Sequence, residues 1–270
     1  MIRVFHLLLG VALAAWLGVG AARADALIQF PNVSAQADPP HLFGYLGRPD
    51  GAGPFPAVVV LHGCTGFLSR YAEIAERLKW SGYVALAIDS LGPRGLGSAC
   101  DRLFIEQATD AYAALEYLSQ QAFVDPRRVA VLGYSMGGFS ALLAVQRGAV
   151  EQLFERKFRG AIAYYPWCRD PASIMGAPAM ILVGGADDWT PPEACREMAA
   201  QPREGSAPVD LTVYPDAYHG FDNPSLKPGI RVLNHWLEYN EAAATNAWGK
   251  VGAFLTVNLA PATADKPKSD

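Results

Sequence analysis

The sequence predicts an α/β fold with a mostly parallel central sheet and helices packed on both faces. Three observations carry that expectation. Short, apolar, β-branched runs recur along the chain, each long enough for a strand but not for a helix. Between them lie segments with apolar residues at helical spacing. The two patterns alternate from about residue 40 onward, with no internal repeat and no linker long enough to separate two domains.

The elements follow in order. Residues 41–48 read as an early strand, closed by the turn Pro49-Asp50-Gly51-Ala52-Gly53-Pro54. Residues 57–61, Ala-Val-Val-Val-Leu, form a continuous apolar run expected of a strand buried on both faces. A helix is expected over 73–80, ended by Ser81-Gly82, and a second buried strand over 83–88. Phe104, Ala108, Ala111, Leu115 and Leu118 recur at helical spacing, so that segment lays one apolar face on the sheet. Strands follow at 129–132, 161–165, 179–183 and 209–214, with a helix over 139–146. The chain is expected to close with a helix from about residue 230, whose Trp236 and Tyr239 face leads to Ala247, Val251, Phe254 and Leu255. Sheets of this kind place their sites beyond the carboxyl ends of the strands, so the chemistry belongs in the loops after them.

The chain has 270 residues, 51% of them hydrophobic, enough for one large core. Its formal net charge of −4 offers no basic surface to nucleic acid. Residues 1–24 read as a cleavable secretory leader. Arg3 supplies the positive start, residues 7–19 the apolar stretch, and Ala22-Arg23-Ala24 the small-residue cleavage site. The apolar stretch falls short of the ~20 residues that span a bilayer. The expectation is export to the periplasm or the medium, with no stable membrane insertion after cleavage. Residues 25–259 are then one domain, and residues 260–270, polar with two prolines, a disordered tail. Export permits disulfides. Cys64, Cys100, Cys168 and Cys195 admit three pairings. Cys64 and Cys100 follow neighbouring strands on the site side, as do Cys168 and Cys195, which favours 64–100 and 168–195.

The strand ending at Leu132 runs into Gly133-Tyr134-Ser135-Met136-Gly137-Gly138 and then a helix. Between a buried strand and a helix, G-x-S-x-G marks a turn so tight that it needs small flanking residues and pushes a serine hydroxyl out above the sheet. Serine at its ordinary pKa is a poor nucleophile and needs a base within hydrogen-bond reach. Of five histidines, His6 lies in the leader, His41 in an early strand segment, His62 before a glycine-containing loop and His235 inside the expected last helix. His219 remains, in a loop after the last strand. The strand at 179–183 runs into Gly184-Gly185-Ala186-Asp187-Asp188-Trp189-Thr190-Pro191. Neighbouring side chains point apart, so one of the two carboxylates orients the imidazole. Gly184-x-x-Asp187-x-x-x-Pro191 resembles a spacing found in α/β-hydrolases, and that resemblance favours Asp187 and leaves Asp188 solvated or capping a helix. The two amides that would hold an oxyanion are those of Met136, after the serine, and Cys64, in His62-Gly63-Cys64-Thr65-Gly66.

At these residues the chain resembles the dienelactone hydrolase family of α/β-hydrolases. The resemblance runs over residues 44–259 and takes in the His62 loop, Asp89-Ser90-Leu91-Gly92-Pro93-Arg94-Gly95, the Ser135 turn, Asp187-Asp188-Trp189-Thr190-Pro191 and His219-Gly220-Phe221. It implies an α/β-hydrolase without a large lid domain, acting on small esters or lactones. Members of the family ordinarily carry cysteine as nucleophile and a glutamate in the first loop; this chain has Ser135 and Gly63 there.

The expected chemistry is acyl transfer through an acyl-enzyme, with catalytic Ser135, Asp187 and His219, oxyanion donors Cys64 and Met136, and no metal or organic cofactor. A peptidase or acyltransferase on the same scaffold, or a non-catalytic binding protein, are the alternatives. Arg94 follows the second buried strand and either meets a substrate carboxylate or forms a structural salt bridge. Only residues 166–178 separate two strands where lidded lipases insert a cap. The cleft over Ser135 is therefore expected to be open, bounded by Trp167 and Trp189, with a preference for short acyl groups.

Overall fold

A computed structural model describes residues 26–33, 39–200 and 203–261. The leader expected at 1–24 lies outside these residues, as does the expected tail from 262 on. The chain forms β1 (Ala26–Phe30), β2 (Leu42–Gly47), β3 (Phe55–Leu61), α1 (Ser69–Trp80), β4 (Val84–Asp89) and α2 (Glu106–Ser119). β5 (Val124–Tyr134), α3 (Met136–Val145), β6 (Ala161–Tyr164), β7 (Ala179–Gly184), α4 (Glu193–Ala200) and β8 (Val209–Tyr214) come next. β9 (Ile230–Val232), β10 (His235–Leu237) and α5 (Glu241–Asn258) close the fold.

Eight strands make one sheet in the order β1-β2-β4-β3-β5-β6-β7-β8. Only β2 runs against the others, antiparallel to its neighbours β1 and β4; from β4 to β8 every neighbouring pair is parallel. The alternation of side chains along β3 builds two cores. Ala57, Val59 and Leu61 pack with Ala111, Leu115 and Leu118 of α2 and Ala141 and Ala144 of α3. Val58 and Val60 pack with Ala75 and Leu78 of α1 and Ala247, Val251 and Leu255 of α5. Both faces are dry, which is why the run carries no polar residue.

The end of the chain departs from expectation. No helix starts near 230: residues 230–237 form the antiparallel hairpin of β9 and β10, and α5 begins at Glu241. The turn residues Leu233 and Asn234 both have positive φ, 47° and 69°, which a right-handed helix does not allow. The helix start lies instead at Asn240, whose side chain accepts the Ala243 amide as an N-cap. His235 is thus a strand residue of the hairpin. β1 and α4 also go beyond the sequence reading.

Two disulfides are present, Cys64–Cys100 and Cys168–Cys195. Among the described residues, no helix is long and apolar enough to cross a membrane.

Candidate active site

β5 ends at Tyr134 and α3 starts at Met136, so Ser135 alone makes the turn, at φ 55° and ψ −115°. That backbone is strained for any residue with a Cβ. The reversal brings the chain onto itself. A Cβ at position 133 would lie 1.9 Å from the Gly137 carbonyl oxygen, and one at 137 would lie 2.5 Å from that of Leu61. The two glycines are therefore a steric requirement of the turn.

His219 sits beyond β8, buried, with its Nε2 2.9 Å from Ser135 Oγ and its Nδ1 2.9 Å from Asp187 Oδ2. Asp187 follows β7. Its Oδ1 accepts the amides of Trp189 and Thr190, each at 2.9 Å, and Thr190 Oγ1 stands 2.9 Å from its Oδ2. Burial pushes the Asp187 carboxyl up, but the hydrogen bonds and charge of His219 and the Thr190 contacts outweigh it and hold the group below the usual carboxylate range. Asp188 points elsewhere: it accepts the Trp236 amide at 3.2 Å and lies 3.4 Å from His235 Nδ1.

The loop after β3 is held from within. Ser90 N–H donates to His62 Nε2 at 3.1 Å, which places the ring proton on Nδ1, 2.7 Å from the Gly63 carbonyl. Burial lowers the His62 pKa, keeping the ring neutral. Gln107 Nε2 donates to the His62 carbonyl, and the Gly63 amide donates to Tyr71 Oη. The Cys64 carbonyl accepts the Ala99 amide at 2.8 Å. Among the described residues, neither the Cys64 amide nor the Met136 amide donates a hydrogen bond to the protein.

Two clefts meet at Ser135, and Cys64 and Trp189 line both. One, of about 240 Å³, is flanked by His219, Leu226 and the hairpin residues Ile230, Val232 and Leu237. The other, of about 400 Å³, is flanked by Leu103, Phe104, Met136, Phe139 and Trp167. Trp189 stands 5.0 Å from the His219 ring and stacks on His235. Trp167 borders the second cleft, partly exposed, 5.9 Å from Phe139. Arg94 lines neither. Its guanidinium is bidentate to Asp110, both contacts 2.8 Å, and also donates to the Ser90 carbonyl. Of the two sequence readings of Arg94, the structure places it in the salt bridge. Among the described residues no group of three or more His, Cys, Asp or Glu side chains is gathered around a metal position.

The hairpin wall and Thr190 were not singled out from sequence. Thr190 adjoins Asp187 in the quoted loop, and its spacing of three is a local capping distance that signals the contact. The hairpin strands, three residues each, leave no such mark. A second unsignalled feature is Asp222, which accepts hydrogen bonds from Arg70 and from Tyr165 Oη, both at 2.6 Å, and so ties the His219 loop to α1 and to the end of β6.

A parallel sheet with a serine at a strand–helix elbow and a histidine–aspartate pair beside it defines an α/β-hydrolase. Residues 42–259 match the dienelactone hydrolase family, so the chain belongs to that family and is a carboxylic ester hydrolase. A Bradyrhizobium protein named "Probable 2-oxo-3-(5-oxofuran-2-ylidene)propanoate lactonase" is 28% identical over 234 residues, 80% of this chain and 89% of its own. Among solved structures, a thermophilic esterase from Thermogutta terrifontis matches with a TM-score of 0.65 at 19% identity, covering 89% of this chain and 95% of that one. A dienelactone hydrolase-like promiscuous phosphotriesterase from metagenomic libraries matches at 0.67 and 20% identity, over 87% and 98%.

Proposed function

We propose that the protein is a serine hydrolase that cleaves small carboxylic esters or lactones through an acyl-enzyme. The observation that carries this reading is the unbroken relay Ser135 Oγ–His219 Nε2 and His219 Nδ1–Asp187 Oδ2, each step 2.9 Å. In the reading, Asp187 holds the imidazole proton on Nδ1, leaving the Nε2 lone pair toward the serine hydroxyl. Ser135 attacks the carbonyl carbon while His219 takes its proton. The developing oxyanion is received by the Cys64 and Met136 amides, each contributing about 3 kcal/mol to the transition state. His219 then protonates the leaving oxygen, and a water deprotonated by the same ring releases the acid. The lactonase relative supports lactones among the substrates.

Residues 25–259 acting as one catalytic domain, exported behind the leader at 1–24, belong to the same reading. The two disulfides support it, since they persist in oxidising compartments.

The test is covalent labelling with a fluorophosphonate, followed by peptide mapping. The expected result is a single adduct on Ser135, lost with p-nitrophenyl acetate hydrolysis in Ser135→Ala. Hydrolysis that persists in Ser135→Ala would overturn the proposal.

A further inference from the structure

α3 is apolar nearly all round, and part of it is uncovered. Its buried residues are Gly137, Gly138, Ser140, Ala141, Leu142, Ala144 and Val145. Met136, Phe139 and Leu143 are only half-buried, and Gln146, at its C-cap, continues their line. Spacings of three and four residues put these positions on one helix face. A surface helix normally turns polar residues to that side. Here the stripe starts at the residue next to Ser135.

The stripe floors two adjoining cavities. Met136 and Phe139 line the cleft at Ser135, and Phe139, Leu143 and Gln146 line a larger one of about 670 Å³. Phe139 and Trp167 are common to both. The ten helical steps from Met136 to Gln146 give the groove a length of about 15 Å. Its rims carry exposed apolar side chains at Leu103, Ile105, Leu153 and Trp167, and charged residues such as Arg102 and Asp170 also line it. Each rim is stapled: Cys100 precedes Leu103 on one side, and Cys168 follows Trp167 on the other.

Building on the acyl-enzyme reading, we infer that this groove along α3 receives the acyl chain of the substrate, a linear aliphatic arm of medium length, while the alcohol half occupies the smaller cleft. The division follows from where the proton must go. His219 lines the smaller cleft and not the groove, so the leaving oxygen that it protonates belongs on the smaller cleft's side. The Met136 amide lies at the head of the groove, where the carbonyl oxygen must point. The inference departs from the short-acyl preference expected from the missing cap: an open surface groove buries methylenes without one.

The experiment compares two ester series, p-nitrophenyl acyl esters from acetate to dodecanoate below micelle formation, and alkyl acetates of rising alkyl length. Fully burying one methylene gains about four-fold in binding, and a half-open groove less. The acyl series should rise at least about ten-fold in kcat/KM from acetate to decanoate, and the alkyl acetates should rise far less. In Leu153→Asp, and independently in Leu143→Asp, the decanoate-to-acetate ratio should fall at least five-fold. Leu143→Met should keep it. Thermal midpoints check that the variants fold, and exposed Leu153 is the safer site. A flat acyl series with Ser135-dependent acetate hydrolysis would overturn the groove and leave the hydrolase reading standing. So would a rise confined to the alkyl acetates, or a ratio unmoved in folded Leu153→Asp. Loss of the hydrolase reading would show differently, as acetate turnover that survives Ser135→Ala.

Discussion

At the scale of single residues, the two adjacent carboxylates separate cleanly. Asp187 is buried and meets the imidazole, whereas Asp188 accepts a backbone amide of the hairpin. Asp187→Asn keeps the shape but misdirects the ring tautomer, so kcat should fall by about 10³–10⁴-fold. Asp188→Asn should lower it less than about ten-fold, since an amide oxygen still accepts the Trp236 N–H. Steady-state kinetics on both variants decide the matter, and the reverse order would assign the acid to Asp188. His62 yields a prediction of another kind. Burial puts its folded pKa below its unfolded value, so between the two the unfolded chain binds more protons. Stability is then full above about pH 6.5 and is lost as pH falls below it. Urea unfolding from pH 7.5 to 5.0 should show that decline, and His62→Gln should flatten it even if the variant is less stable throughout. An unchanged slope in His62→Gln would place the proton uptake elsewhere.

At the scale of elements, α5 offers a test of its own start. Asn240 accepts the Ala243 amide, and loss of such a cap costs about 1 kcal/mol. Asn240→Ala should lower the urea midpoint accordingly, and an unchanged midpoint would mean that the cap contributes nothing. The same residue marks where the sequence was hard to read. The buried strands were legible because both faces are dry, leaving runs such as Val58-Val59-Val60 with no competing reading. Ser135, Asp187 and His219 could be grouped because each follows a strand, and in the structure these three meet within hydrogen-bond distance. What escaped was set by backbone conformation and exposure. β1 alternates half-buried with exposed positions at the sheet edge, so its five residues give little signal. Trp236 in the hairpin and Tyr239 just after it fit a helical spacing by coincidence, and the positive φ of Leu233 and Asn234 rules the helix out. The pocket wall made by Ile230, Val232 and Leu237 was therefore invisible to periodicity.

At the scale of the whole molecule, the two disulfides do different work. Each closes a loop, of sequence separation 36 for Cys64–Cys100 and 27 for Cys168–Cys195. On chain-entropy grounds each is worth about 3–4 kcal/mol against the unfolded state. By that measure they are nearly equal. They differ in what they touch. Cys168–Cys195 joins the loop after β6 to α4, and neither cysteine lines the clefts at Ser135. Cys64–Cys100 anchors the residue whose amide is proposed to meet the oxyanion, alongside the Ala99 amide on the Cys64 carbonyl. Removing it frees a loop that must be placed within a few tenths of an ångström to act. The paired variants Cys64→Ala/Cys100→Ala and Cys168→Ala/Cys195→Ala should thus lose stability to a similar extent, about 2–4 kcal/mol each. Only the first should also lose kcat, by about ten-fold or more, with KM changing less. Chemical unfolding and steady-state kinetics on both pairs, measured well below their transitions, separate the two effects. An equal loss of kcat in both pairs would mean that the disulfides act through general stability alone, and that the Cys64 amide is positioned by its backbone hydrogen bonds without help from the bridge.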